Sequence, residues 1–253
     1  MKTIKSVVLF LLIIVFISST AITIFLISNL DNSTKKKEIN DSFEKVVEKI
    51  DDKYNDKIVI DKIEVNKYFA LVDALKKEFN NPDIKGTINI PGTDINTAFV
   101  QTTDNEFYLN HAIDKSESKI GSAFMDYRNT LIDKAIVMYG HNSRTLKPIF
   151  HSLENYTSES FFNEYNQITL TTEFGEYNYV VFSVMILEKT DTQHVEINFT
   201  SEEEYNAQLE WIKLNSIYNT SIEVNSNDNI LLLQTCYYYP KNSYLVIVAK
   251  RVN

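Results

Sequence analysis

The sequence predicts a mainly β fold, a barrel or a sandwich, with helices before the first strand. Eight short segments rich in β-branched and aromatic residues begin at about residue 87, and turn-forming stretches separate most of them. Before these segments, apolar residues recur at helical spacing. The hydrophobic content of 44 % is normal for a packed globule, and 253 residues correspond to one or two domains of roughly 100–200 residues.

Composition excludes several classes of function. The 25 Lys and Arg residues against 34 Asp and Glu give a net charge of −9, so the chain lacks the basic surface that nucleic-acid binding requires. A single cysteine excludes an intrachain disulfide and the zinc sites that need several thiolates. The chain has no zinc-protease, EF-hand or phosphate-loop motif, so the sequence predicts no metal and no cofactor.

An apolar run from Ser6 to Leu30 contains no charge, glycine or proline. A helix of this length, at ~1.5 Å per residue, covers the ~30 Å hydrocarbon core of a bilayer. The alternative is a cleaved signal peptide, because small residues at 18–21 follow an apolar stretch. Hydrophobicity resumes at Ile22 and favours an uncleaved transmembrane anchor over 6–30, after a short terminus over 1–5. Lysines flank both ends of the run, so charge does not decide its orientation.

A linker over 31–39 and a helical subdomain over 40–82 are predicted next. The linker is polar and charged. The first helix of the subdomain is indicated by apolar residues at helical spacing: Phe43, Val46, Val47, Ile50 and Tyr54. The second helix is indicated in the same way by Phe69, Val72, Leu75 and Phe79, and the segment 80–82 (Asn-Asn-Pro) ends it.

The β domain is predicted over 83–253. Its strand segments are 87–90, 97–101, 122–127, 135–140, 167–172, 177–187, 229–235 and 244–252. One helix, at about 201–218, is inserted between two late strands. It is indicated by the capping-box pattern of Thr200 and Ser201 before Glu203 and Glu204, and an apolar stripe follows.

Cys236 is the strongest chemical candidate, because it stands at the end of an apolar strand as the one thiol in the chain. A lone cysteine is often only a small buried hydrophobic residue. Outside a membrane, however, an unpaired thiol is open to oxidation and is a candidate reactive group. Such a nucleophile needs a nearby cation or base, usually histidine, to form its thiolate.

Four histidines could supply that base, namely His111, His141, His151 and His194. His141 follows the apolar strand 135–139 directly after Gly140, where a ring can project from a strand end. Its position favours it over His111, which sits in a polar turn. His141 and Cys236 are 95 residues apart, so the fold has to bring them together.

Five short motifs resemble those of the class B sortases in order and spacing. They are IPGT at 90–93, DNEFYLNH at 104–111, MDYRN at 125–129, YGHN at 139–142 and Thr235-Cys236. The resemblance covers roughly residues 65–252, and it extends to the anchor, the N-terminal helices and the helix inserted at about 201–218.

The resemblance implies an eight-stranded sortase-type β-barrel and a cysteine transpeptidase. Such enzymes cleave a C-terminal sorting signal of a secreted protein after threonine and hold the protein as a thioacyl enzyme. They then attach it to an amine of the peptidoglycan cross-bridge or its precursor. The expected partners are therefore signal-bearing proteins, this amine and the membrane. The resemblance also implies a Gram-positive cell-membrane protein with a single span, a cytoplasmic terminus over 1–5 and an extracellular catalytic domain.

Carried over to this sequence, the resemblance implies that Cys236 is the nucleophile and His141 the acid and base. Thiolate and imidazolium stabilise each other's charge. Thr235 matches a position that helps to fix the substrate carbonyl. Gln234 and Asn142, which flank these residues, are assigned to substrate binding as well.

One position departs from the family. At the start of the last strand the family has an arginine that stabilises the oxyanion, and this chain has Tyr244. We expect the Tyr244 hydroxyl or Arg144, in the loop after His141, to replace it. Loss of an oxyanion donor costs on the order of 10²–10³ in rate. The alternative function is therefore a catalytically weakened sortase-fold protein that binds sorting signals or wall precursors.

Overall fold

Helices precede strands in the computed structural model, which describes residues 2–55 and 67–253 and gives only the backbone of 2–19 and Asn55. Met1, in the predicted terminus, and residues 56–66, in the predicted helical subdomain, lie outside it. The four helices in the described ranges are α1 (Lys2–Asn55), α2 (Lys67–Glu78), α3 (Glu159–Glu164) and α4 (Glu202–Leu214). One compact unit ends at Ile39, and Asn40–Asn253 forms the other.

The predicted transmembrane anchor is wrong. Within the described ranges, none of the helices combines the length and the apolar character that crossing a membrane requires. The prediction over 6–30 rested on the length of an uncharged apolar run and on the hydrophobicity that resumes at Ile22. In the structure this run lies in α1, which continues without a break through Lys35, Lys36 and Lys37. The single-pass membrane localisation with an extracellular catalytic domain, and the membrane as a partner, are corrected with it.

Eight strands form the β domain. They are β1 (Ile84–Asn89), β2 (Asn96–Val100), β3 (Phe124–Met125), β4 (Ala135–Tyr139), β5 (Gln167–Thr172), β6 (Gly175–Glu188), β7 (Ile230–Tyr237) and β8 (Ser243–Arg251). They close into a barrel in the order β1-β2-β3-β4-β7-β8-β6-β5. The pairs β2–β3 and β4–β7 are parallel, and the other six are antiparallel. The mainly β fold is confirmed, and the closure decides for a barrel.

Both faces of the central strands are buried, so these strands read as continuous apolar runs. In β7, Leu231 and Leu233 point into the barrel, where they pack with Ile247 of β8. Leu232 points outwards and packs with Val246 and with the apolar side of α4. Alternation along a strand therefore separates an inner and an outer apolar layer.

The boundaries of α4 follow from its capping and from the chain after it. The Ser201 hydroxyl accepts a hydrogen bond from the Glu204 amide at 3.1 Å, and the Glu204 carboxylate accepts one from the Thr200 amide at 2.7 Å. The helix ends at Leu214, four residues earlier than predicted, because Ser216 forms a β-bridge with Met185 of β6.

Candidate active site

The parallel pair β4–β7 brings the two predicted reactive residues to one level. Tyr139 pairs with Gln234, and every pair in this ladder has the same offset of 95 residues. The contact continues beyond the ladder, since the Thr235 hydroxyl donates to the Gly140 carbonyl at 2.7 Å. The next positions in this register are His141 and Cys236. Neighbouring strands are ~4.8 Å apart, so the two backbones are adjacent.

The Cys236 thiol lies on the outer face of the barrel and not in its core. Inner and outer side chains alternate along β7, so Gln234 and Cys236 share the outer face with Leu232. Cys236 is half-buried and forms no disulfide. The thiol is thus open to a substrate at the end of the strand.

The His141 ring is oriented by the turn that contains the polar motif at 104–111. Its Nε2 lies 2.7 Å from the carbonyl oxygen of Leu109, at the end of the 3₁₀ turn Phe107–Leu109. A carbonyl can only accept a hydrogen bond, so Nε2 carries a proton. Nδ1 is then the nitrogen that can exchange a proton with a neighbouring group. His111, by contrast, stacks on Phe107 with 3.9 Å between ring centroids.

Asn142 connects the segment after β4 to the end of β7. Its buried side-chain amide donates to the Cys236 carbonyl at 2.9 Å and to Glu154 at 2.6 Å. Its amide oxygen bonds Nδ1 of His151 at 2.7 Å. The amide that was assigned to substrate binding thus holds the Cys236 backbone in place.

Gln234 faces a buried histidine. Its side-chain oxygen accepts a hydrogen bond from Nε2 of His194 at 2.5 Å. His194 belongs to the 3₁₀ turn Gln193–Val195 in the connection between β6 and β7, and its ring centroid is 6.1 Å from that of Tyr244. Burial lowers the pKa of His194, although the Gln234 bond opposes this shift.

Tyr244 lies directly across the β7–β8 ladder from Cys236, so the two side chains share the outer face. The second proposed donor is Arg144. It is exposed, and its guanidinium stacks 4.1 Å from the Tyr239 ring centroid and 5.4 Å from that of Tyr238.

Lys189 is a site residue that the sequence did not indicate. It follows β6 immediately, and its Nζ lies 3.3 Å from Sγ of Cys236 and 5.3 Å from the Tyr244 ring centroid. The signal in the sequence was the spacing of two residues, which gives Lys189, directly after β6, the orientation of Leu187. This spacing alone does not predict the contact with Cys236, because the sequence does not show that Leu187 pairs with Tyr244 on β8.

An ion pair between the exposed Arg128 and the buried Asp126 holds the β6–β7 connection beside the site. Arg128 contacts Asp126 at 2.8 Å and donates to the carbonyl oxygen of Val195 at 3.0 Å. Burial alone would raise the pKa of the Asp126 carboxyl, but the bonds from Arg128 outweigh it and the pKa lies below its ordinary value. The Tyr139 hydroxyl also donates to Asp126, at 2.8 Å, and burial together with this carboxylate raises the pKa of Tyr139.

A metal-binding arrangement is not found in the described ranges, which contain no group of three or more His, Cys, Asp or Glu side chains suited to an ion. The chemistry that this arrangement offers is that of a half-buried thiol in contact with a lysine, with a histidine on the adjacent chain segment.

The sequence matches the family model described as Sortase domain over residues 88–252. It is 31 % identical over 176 residues to sortase B of Staphylococcus aureus, which covers 67 % of this chain and 70 % of that protein. It is 29 % identical over 158 residues to sortase B of Listeria monocytogenes, covering 62 % of this chain. The chain spans 63 % of the length of this Listeria relative.

The fold is similar to that of a solved Staphylococcus aureus sortase B–substrate complex. The TM-score is 0.76 at 25 % sequence identity, over 88 % of this chain and 99 % of the other. At 88 % of this chain, the similarity extends beyond residues 88–252, which match the family model.

Proposed function

Because the chain belongs to the sortase family and its resemblance to class B is confirmed, we propose that it is a cysteine transpeptidase. It cleaves a C-terminal sorting signal after threonine and transfers the new carboxyl end to a cell-wall amine. The observation that carries this proposal is the register of β4 and β7, which continues to His141 and Cys236 on adjacent chain segments at the outer face.

The first half-reaction forms a thioester. The Cys236 thiolate attacks the carbonyl carbon of the signal threonine, and the carbonyl electrons move to oxygen. The tetrahedral intermediate collapses as the C–N bond breaks. Nδ1 of the His141 imidazolium gives its proton to the leaving amine, while Nε2 remains bonded to the Leu109 carbonyl.

The second half-reaction transfers the acyl group. The acceptor amine attacks the thioester carbonyl and loses a proton to Nδ1 of His141. The C–S bond breaks, an amide forms and the thiolate is restored. Tyr244 lies at the family's arginine position and opposite Cys236, so we assign its hydroxyl as the oxyanion donor.

Substrate binding is assigned to the residues around Cys236. The Gln234 side chain lies on the same outer face, two positions before the thiol. Thr235 and Asn142 contribute by holding the strand ends, through the bonds to the Gly140 and Cys236 carbonyls.

The proposal is tested by incubating the purified protein with synthetic sorting-signal peptides, with and without triglycine. We expect a thioacyl adduct on Cys236 by mass spectrometry and faster turnover when the amine is present. Cys236→Ala should abolish the adduct, and His141→Ala should lower turnover by about 10²–10⁴. His111→Gln is the matched control at a histidine that lies in the same region and is expected to stay near the wild-type rate.

Two results would contradict this assignment. Peptide binding without any adduct indicates the weakened binding protein, and an adduct that triglycine does not accelerate indicates a thiol hydrolase. A loss of activity in His111→Gln equal to that in His141→Ala would remove His141 from its role.

A further inference from the structure

Lys189 is the cation in contact with the thiol. Its Nζ is 3.3 Å from Sγ of Cys236, and both side chains are half-buried. In the described part of the chain, Lys189 forms no ion pair with a carboxylate, whereas Lys115, Arg128 and Lys250 do. The ammonium is therefore not neutralised by a fixed anion.

The strand order explains how a residue of β6 reaches a thiol on β7. β8 lies between these two strands, and Tyr244 on β8 pairs with both Leu187 and Cys236. Lys189 is two residues beyond Leu187, so it has the same orientation, and its amide donates to the Asn242 carbonyl at 3.2 Å. The side chain thus passes over the Tyr244 ring to the sulfur, and the 5.3 Å cation–π contact helps to fix it.

We propose that Lys189 is a further catalytic residue, whose ammonium stabilises Cys236 as the thiolate at the place where the family arginine is replaced by Tyr244. The S–H bond of Cys236 breaks, its electron pair stays on sulfur and its proton passes to Nδ1 of His141. A thiolate is the nucleophilic form of cysteine, and an opposite charge within about 4–6 Å favours the charged form. The inference rests on the proposed function only for the identity of the group that the thiolate attacks.

The titratable groups around Cys236 come from each neighbouring element. His141 follows β4, Tyr244 lies on β8 and Lys189 follows β6. His194, from the β6–β7 connection, contacts Gln234 and faces Tyr244, and its lowered pKa keeps it uncharged at neutral pH. Lys189 is thus the group in this set that carries a positive charge whatever the state of the histidines.

Nearby carboxylates do not cancel this charge. Glu188 precedes Lys189, is exposed and points to the opposite side of the strand. Asp191 accepts a hydrogen bond from the Gln193 amide at 3.0 Å. Neither is among the ion-pair partners in the described ranges.

The test is the rate of Cys236 alkylation by iodoacetamide between pH 5 and pH 9.5, which requires no peptide substrate. Lys189→Met removes the charge and keeps the length of the side chain. We expect alkylation at pH 7 to fall by about tenfold, the rate curve to move to higher pH, and the rates to converge at pH 9.5. Lys189→Arg should stay within about threefold of wild type, and Lys241→Met, at an exposed lysine of the β7–β8 connection, should leave the curve unchanged.

An alkylation curve that does not move in Lys189→Met overturns the inference, and so does an equal loss at every pH, which indicates altered access. Lys189→Gln is measured in parallel, and circular dichroism establishes that each variant is folded. Peptide turnover is recorded separately. If no variant forms a thioacyl adduct but the alkylation curve still depends on Lys189, the proposed function fails and the role of Lys189 stands.

Discussion

His194 shows at the residue scale how burial adjusts a side chain next to the site. It is 1 % exposed, Nε2 bonds Gln234, and Nδ1 has no hydrogen-bond partner in the described structure. Charging this ring would place an uncompensated cation inside the protein, so burial lowers its pKa. The ring thus contributes to the outer layer as a neutral group.

We expect His194 to make the stability of the protein dependent on pH. Its pKa is lowered by burial in the folded state, so below the unfolded value of about 6.5 the unfolded chain binds a proton that the folded chain does not. The free energy of unfolding should therefore decrease as pH falls from 7 towards 5. His194→Gln, which keeps a donor for Gln234, should reduce this slope in urea unfolding curves measured across the range. Equal slopes in the two proteins would show that another group is responsible.

Cys236 and His141 could be proposed from the sequence, because a lone thiol and a histidine at a strand end are visible there and the resemblance selects His141 over His111. Lys189 could not, because its contact with Sγ depends on the order of β6, β8 and β7 and on their register. The same limit applies to Arg144, whose position in the loop after His141 permits several directions. In the structure it stacks on Tyr239.

At the scale of elements, the end of β4 is fixed by its fit against the 3₁₀ segment Ile149–Thr157. Gly140 is buried there, and a Cβ at this position would lie 2.5 Å from Cγ of Phe150. Glycine is required here because the buried Phe150 ring occupies the space that a side chain would need. This contact therefore fixes the position of the backbone at the next residue, His141.

Gly140→Ala should therefore displace the strand end that carries His141. We expect a loss of about 1–3 kcal/mol in the free energy of unfolding from overpacking. Peptide turnover should also fall, since a displacement of about 1 Å can cost on the order of 10²-fold in rate. Thermal unfolding and the triglycine transfer assay measure the two effects.

The double variant Gly140→Ala/Phe150→Leu is the control, because the smaller side chain makes room for the new methyl group. It should recover part of the lost stability and turnover. Thr145→Ala, at an exposed residue of the next loop, should change neither. A Gly140→Ala protein with wild-type stability would mean that Phe150 moves aside at no cost.

The elements themselves were predictable to different degrees. β5 has the predicted bounds, because residues of high β propensity run from Gln167 to Thr172 and turns flank them. β3 is reduced to Phe124–Met125, although six residues have strand character. The Asp126 amide still donates to the Val137 carbonyl of β4, but the chain then turns, since the Asp126 carbonyl accepts from the Asn129 amide and its carboxylate bonds Arg128 and Tyr139. The bond from Tyr139, 13 residues further along the chain, is a tertiary contact that a local propensity pattern does not contain.

At the scale of the domain, the inner and outer apolar layers share the same strands. Leu233 belongs to the inner layer and Leu232 to the outer one, and both lie on β7. Trp211 of α4, the only tryptophan in the chain, packs against the outer layer. Loss of β7 would therefore disrupt both layers. The sequence indicated that the strands are apolar, but it did not indicate that one strand contributes to both layers.

We expect Asn40–Asn253 to unfold in one cooperative transition in which Trp211 fluorescence and far-UV circular dichroism change together. Leu233→Ala, at a fully buried position, should cost about 2–5 kcal/mol and shift both signals equally. Ile132→Ala, at a side chain that is 81 % exposed, should stay within about 0.5 kcal/mol of wild type. If the fluorescence change comes at lower urea concentration, α4 detaches before the barrel unfolds.

The parallel pairing of β4 with β7 also has a consequence for biosynthesis. About 90 residues separate Tyr139 from Ile230, so a ribosome that adds roughly 5–20 residues per second needs on the order of 5–20 s between them. Throughout that interval, one edge of the apolar strand Ala135–Tyr139 in the nascent polypeptide has no hydrogen-bonding neighbour. This edge is the place where a chaperone is most needed during translation.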